Sequence, residues 1–160
     1  MKNGIYKIFP RIVDNSYQGH KLALWVFVGL APVMMGRSLI HLFAMDGGAG
    51  SIAGLDLSLG AENIIFAFGL WGLSQVLYAF IQLVIAIRYK SLIPLFYIMF
   101  IFEIIGRITI GLTKPPILLN GTPPGGFANF ILLPLVIVMF ILSMHSSKQM
   151  NVDEVSSLNH

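Results

Sequence analysis

Glu103 and Arg107 stand one helical turn apart in an otherwise apolar stretch, with the glutamate N-terminal to the arginine, the favourable order for an i,i+4 ion pair. Arg37 and His41 repeat that spacing near the end of an earlier apolar run. Between these two stretches, Trp71, Gln75, Tyr78 and Gln82 recur at intervals of four, three and four and so share one face of a helix. Phe96, Phe100, Glu103, Arg107, Ile110 and Lys114 make a similar stripe, aromatic at one end and charged at the other. A charge at the centre of a bilayer costs about 2.5–3.5 kcal/mol on insertion scales, so such residues sit where a partner or a function compensates them. Two arginines against one carboxylate leave a positive excess that suits an anionic or strongly polar guest. Arg37, His41, Gln75, Tyr78, Glu103 and Arg107 are therefore the candidate ligand-binding set. The same residues also fit a purely structural role, in which an Arg37–Glu103–Arg107 network pins helices together. Proton or ion transport along Glu103 and His41 needs a continuous polar route, and none is traceable beyond Gln82.

Four apolar segments must position these groups. In 160 residues, 56% are hydrophobic and only 11% charged, with a mean hydropathy of +0.82. A soluble domain carries about a quarter charged residues, so the composition indicates an integral membrane protein. The pattern predicts an all-α, four-helix transmembrane bundle, with spans at about 21–45, 62–87, 92–113 and 127–144. Residues 1–20 form a charged N-terminal segment interrupted by Pro10, and 146–160 a polar, disordered tail. Pro32 and Pro134 fall inside the first and fourth spans, where each removes a backbone donor and favours a bend. Arg37 and Arg107 each lie roughly 24 Å along their spans, and Glu103 roughly 18 Å, so the three can meet in the outer half of the bundle. Spans one to three each carry a polar stripe, while span four is almost wholly apolar.

Lys2, Lys7, Arg11, Lys21, Arg88, Lys90 and Lys148 flank the spans on one side, against Lys114 alone on the other. The positive-inside rule then places both termini in the cytoplasm and both Gly/Pro-rich loops outside. The polar chamber would open toward those loops. Asp46 and Asp56 on the loop 46–60, and Glu62 just beyond it, are the acidic loop candidates, either as cation ligands or as ordinary turn and cap residues. That loop, with five glycines, reads as exposed or partly re-entrant, and it lacks the GK[ST] of a phosphate loop. The segment 117–126 reads as a second, non-helical loop.

Much chemistry is excluded. There is no cysteine, hence no disulfide, thiolate metal site or thiol redox motif. The histidines are His20, His41, His145 and His160, and their placement offers no axial pair for haem and no metal centre. Neither HExxH nor GxSxG occurs, so no catalytic residue can be assigned and no cofactor is implied. No basic stripe of the kind nucleic acids require is present. The expected partners are the lipid bilayer, a small polar or anionic ligand or lipid, and possible further membrane subunits.

The late Arg and His of the first span (GRSLIHLF), the Gly-rich loop after it and the Gly-Arg of the third (EIIGRITIG) together resemble small four-span bacterial inner-membrane proteins of the DoxX-like type. The resemblance covers about residues 21 to 144 and is architectural. It implies the fold and a bacterial inner-membrane location. Because that family is functionally diverse, it implies no activity. Three readings follow: a ligand-binding membrane protein, a structural or accessory subunit of a larger membrane complex, or a membrane enzyme acting on a lipid or quinone.

Overall fold

A computed structural model of the chain describes residues 2–119, 121 and 123–145. The expected disordered tail at 146–160 lies outside the described residues. The helices are α1 (Lys2–Ile8), α2 (Lys21–Phe43), α3 (Ala61–Arg88), α4 (Ile93–Thr113) and α5 (Pro124–Met144), with a 3-10 turn at Lys90–Leu92 between α3 and α4. Helices α2 to α5 are each long and apolar enough to cross a membrane. At about 1.5 Å per residue, even the shortest of them extends roughly 32 Å, against a hydrocarbon core of about 30 Å.

Local sequence fixes where these helices begin and end. His20 caps α2, its Nδ1 accepting from the Leu22 amide at 3.2 Å. Pro94 and Pro124 occupy the first turns of α4 and α5, where the missing amide leaves no bond unmade. Pro115 forces Lys114 out of helical geometry, to φ −135 and ψ 67, and α4 stops there. Both α2 and α5 remain helical through Pro32 and Pro134.

Two helical segments differ from the sequence expectation. Residues 2–8 form a helix, because Pro10 lies beyond its end and does not interrupt it. Helix α5 starts at Pro124, three residues before the expected 127, since a proline at the first position favours a helix that the following Gly125-Gly126 disfavours.

The chain runs up and down, with α2 packed along α3, α4 along α5, and α2 touching α5, while α3 and α4 approach one another only sparsely. The core is aromatic. Phe27 meets Phe96 and Tyr97 edge-on at 5.5 and 5.6 Å between centroids, and Phe96 meets Phe100 at 5.1 Å. Ala23, Ile93, Ile104, Val136 and Met139 fill the space around them. Two buried side chains tie helices through backbone carbonyls. Tyr97 Oη donates to Ala23 O at 2.6 Å, and Gln82 Nε2 donates to Phe27 O at 3.0 Å. The second bond adjoins the Val28 carbonyl, which Pro32 deprives of its helical donor.

At one end, the two interhelical loops pair with each other. The Asp56 amide donates to Ile117 O at 3.1 Å and the Leu119 amide to Gly54 O at 2.9 Å, around an isolated bridge between Leu55 and Leu118. The loop after α2 is therefore compact, with Gly47, Gly48 and Ala49 buried, instead of open. At the other end, the segment before α2 folds over the end of α5. Lys7 Nζ donates to Met144 O at 2.8 Å and the His20 amide to Leu142 O at 3.0 Å, with Gly19 packed against the Ser143 carbonyl.

The tightest helix contact is at Gly72, where a Cβ would meet the His41 carbonyl carbon and the Leu42 amide nitrogen, each at 2.7 Å. Both are backbone atoms and cannot turn aside. Gly72→Leu is expected to lower unfolding free energy in detergent by about 1–3 kcal/mol, the usual range for overpacking. Gly69→Ala, whose Cβ would meet nothing within 4 Å, should stay within about 0.5 kcal/mol of the parent.

Candidate functional site

The polar residues of α2, α3 and α4 gather on the side where α3 and α4 are least closely packed. Glu103 is the hub. Its Oε1 accepts from Gln75 Nε2 at 3.1 Å across the gap and lies 3.5 Å from Arg107 Nη2 one turn along α4. The Glu103 and Arg107 side chains are each 20% exposed. Tyr78, one turn after Gln75, places its ring 4.6 Å from Phe96 and 5.7 Å from Phe100 and so forms an aromatic floor on the side away from the loops.

Several atoms in this gap lack partners. Tyr78 Oη, Glu103 Oε2, and Arg107 Nε and Nη2 are all buried and make no hydrogen bond. An unsatisfied buried polar group costs about 1–3 kcal/mol, and more when charged. Tyr78 Oη, Glu103 Oε2 and Arg107 Nε thus bring unused donor and acceptor capacity together in one place, beside an Nη2 whose partner is the 3.5 Å ion pair.

Arg37 takes a different position from the one its spacing implied. Its guanidinium lies 5.1 Å from the Trp71 ring centroid, in a cation–π contact, and it forms no ion pair with Glu103. It remains within electrostatic range of both Glu103 and Arg107. The expected three-member Arg37–Glu103–Arg107 ion-pair network is thus, among the described residues, a single intrahelical pair with a second arginine nearby. The Trp71 face offers the guanidinium an alternative seat.

His41 turns away from that gap. It is buried against Trp71 and Phe68, at 4.7 and 5.9 Å between centroids, and its Nδ1 lies 2.8 Å from Gly47 O. A carbonyl only accepts, so Nδ1 carries the hydrogen and holds the loop to the top of α2.

The acidic loop residues serve backbone geometry. Asp46 Oδ1 accepts from the Gly48 amide at 2.8 Å and Oδ2 from the Ser51 amide at 2.7 Å, bracketing left-handed Gly47 and Gly48 at φ 60 and 73. Asp56 Oδ1 accepts from the Ser58 amide at 2.9 Å. Glu62 is exposed in the first turn of α3, where its charge faces the positive end of the helix dipole. No group of three or more His, Asp or Glu side chains suited to a metal ion exists among the described residues.

Sequence reasoning missed two features. Tyr97 carried no signal, because a tyrosine in an aromatic helix does not announce a bond to a backbone carbonyl. Lys7, Arg11 and Lys90 were read only as orientation signals, yet they line a cavity of about 530 Å³ at the end opposite the loops. The signal there was the mixture of cations with Tyr6 and Tyr17.

The bonds from the Ser51 and Gly48 amides hold the Asp46 carboxyl at about 2, below its ordinary 3.8. A folded-state value below the unfolded one means that the stabilisation is complete above about pH 4 and is lost as pH falls through about 2. The Gly48 and Ser51 amide proton shifts should therefore titrate together with a midpoint near about 2. A midpoint at the ordinary aspartate value would contradict the bonded turn. Comparison of the chain with family models, curated proteins and solved structures finds no match, so the functional reading rests on the residues themselves.

Proposed function

We propose that this chain is an integral membrane protein, of the bacterial inner membrane with both termini cytoplasmic, whose exterior-facing intramembrane pocket binds a small anionic or strongly polar molecule or a lipid headgroup. The observation that carries this reading is the cluster of unpartnered buried atoms on Tyr78, Glu103 and Arg107 beside Arg37. Arg107 offers its Nε as a free donor beside the ion-paired Nη2, Tyr78 offers one hydroxyl, and the local charge is one carboxylate against two guanidiniums. A carboxylate or phosphate guest would take the guanidinium donors and balance the excess cation.

The ion pair lies within α4, so it fastens nothing to another helix; among the described residues the Gln75–Glu103 bond is the one side-chain hydrogen bond across the gap. Such interhelical bonds in membranes are worth about 0.6 kcal/mol on average. That is small against three buried atoms with neither hydrogen bond nor ion pair, and it favours a binding role over a lock between helices.

Binding is tested with the purified full chain in neutral detergent, following the thermal midpoint against glycerol 3-phosphate, succinate and uncharged glycerol. At least one anion should raise the midpoint saturably, glycerol should not, and Arg107→Gln should weaken the response tenfold or more. No response to either anion, or an unchanged one in Arg107→Gln, would sink the proposal.

Topology is tested separately by single cysteines at Ser51 and Asn15, both exposed. In intact cells an impermeant thiol reagent should label the first and spare the second. The reverse pattern would invert the orientation, and labelling of both would remove the spanning arrangement.

A further inference from the structure

We infer that the cavity at the terminal end of the bundle is a seat for the phosphate headgroup of an anionic membrane lipid, distinct from the pocket beside Glu103. The cavity encloses about 530 Å³ between the segment that begins with α1, the 3-10 turn and the start of α4, and the end of α5. That volume suits a headgroup with its glycerol, in the range of small-molecule sites.

Its charge is lopsided. Lys7, Arg11 and Lys90 line it, against Asp14 alone. The Asp14 carboxylate is engaged within its own turn, Oδ1 accepting from the Ser16 hydroxyl at 2.6 Å and the Ser16 amide at 3.0 Å, and these bonds hold its pKa below the ordinary value. The cations keep free donors. Lys7 Nζ uses one hydrogen on the Met144 carbonyl, and Arg11 spends one nitrogen on the Tyr6 hydroxyl at 3.0 Å. Arg11 is also held over the Tyr6 ring, 4.6 Å from its centroid, so its remaining donors are oriented before any guest arrives. Lys90 is half-buried and makes no side-chain hydrogen bond among the described residues.

The surroundings identify the guest as a lipid. Ile5, Phe9, Ile12 and Val13, on and just after α1, expose between 48% and 75% of their surface. An apolar rim beside a cationic cavity is the pattern of a segment lying in the membrane interface, with acyl chains against the rim and the phosphate in the cavity. A soluble phosphate ester would use the cations and leave the rim without a role.

This inference rests on the membrane-spanning reading of α2 to α5, whose own failure would show as a chain that stays soluble without detergent. The experiment uses the full chain carrying Arg107→Gln, so that the other pocket does not contribute. Thermal midpoints in neutral detergent are followed against short-chain phosphatidylglycerol, short-chain phosphatidylcholine and inorganic phosphate. Phosphatidylglycerol should shift the midpoint saturably, phosphatidylcholine should bind at least tenfold more weakly, and inorganic phosphate should do nothing at millimolar concentration.

Adding Arg11→Gln with Lys90→Gln should weaken phosphatidylglycerol tenfold or more while helix content is retained. If that variant fails to fold, Lys90→Gln alone, which breaks no recorded bond, should weaken it at least threefold. Equal binding of the two lipids, or affinity indifferent to these substitutions, would overturn the site. Inorganic phosphate binding as tightly as phosphatidylglycerol would overturn the lipid assignment and leave a soluble phosphate as the occupant.

Discussion

Where Gly72 meets the backbone of His41 and Leu42, α2 and α3 approach with no room for a Cβ between them. Small residues at a crossing let backbones approach and accumulate dispersion contacts, which is the main attraction between helices in a medium as apolar as their side chains. Helix α3 packs along α2 and meets α4 only sparsely. The connection at Tyr89–Leu92 keeps one pair of ends together, and toward the loops the two helices are bridged by long side chains. Tyr78 reaches Phe96 and Phe100 near the middle, and Gln75 reaches Glu103 further up. The polar side chains thus bridge the pair of helices whose backbones pack least on one another.

The same crossing organises the loop end. His41 is fixed by Gly72 behind it and by Phe68 and Trp71 beside it, so its Nδ1 points at the Gly47 carbonyl. Asp46 then binds the two amides of the following turn, and the folded loop presents Gly54 and Asp56 to the loop before α5. A cap built this way satisfies backbone groups that a hydrocarbon environment would leave unpaired. It also explains why histidine and aspartate, two residue types associated with catalysis, serve here as structural ties.

The four long helices were legible because an uninterrupted apolar run of twenty residues has few alternatives to a helix. Their ends were legible where proline or a basic cluster marks them, as at Lys114-Pro115-Pro116. The pairing of Glu103 with Arg107 and the shared face of Gln75 and Tyr78 were also legible, since helical periodicity alone fixes them. The seat of Arg37 was not. Periodicity gives the depth and face of a residue but not which of two neighbours, a carboxylate or an indole ring, its flexible side chain will choose. Nor could the Gly-rich loop be read, because glycines permit a compact left-handed turn and an open loop equally. The helix at Lys2–Ile8 was obscured for a related reason: seven residues are too few to form one alone, and the fold supplies the surface that holds it.

The two ends of the molecule handle charge by opposite means. At the loop end, carboxylates accept from backbone amides, Asp46 through both oxygens and Asp56 through Oδ1. At the other end, cations rest on a backbone carbonyl and an aromatic ring, partners that hold a side chain in place without cancelling its charge. Arg37 on Trp71 repeats that second device inside the bundle. A guanidinium positioned by an aromatic face keeps its donors and its field, whereas one beside a carboxylate, as Arg107 is, has only part of both to offer. Both proposed binding regions therefore contain an arginine held by an aromatic ring in place of an acid. That shared feature separates them from the acidic turns, whose carboxylates are tied to backbone amides of their own loop.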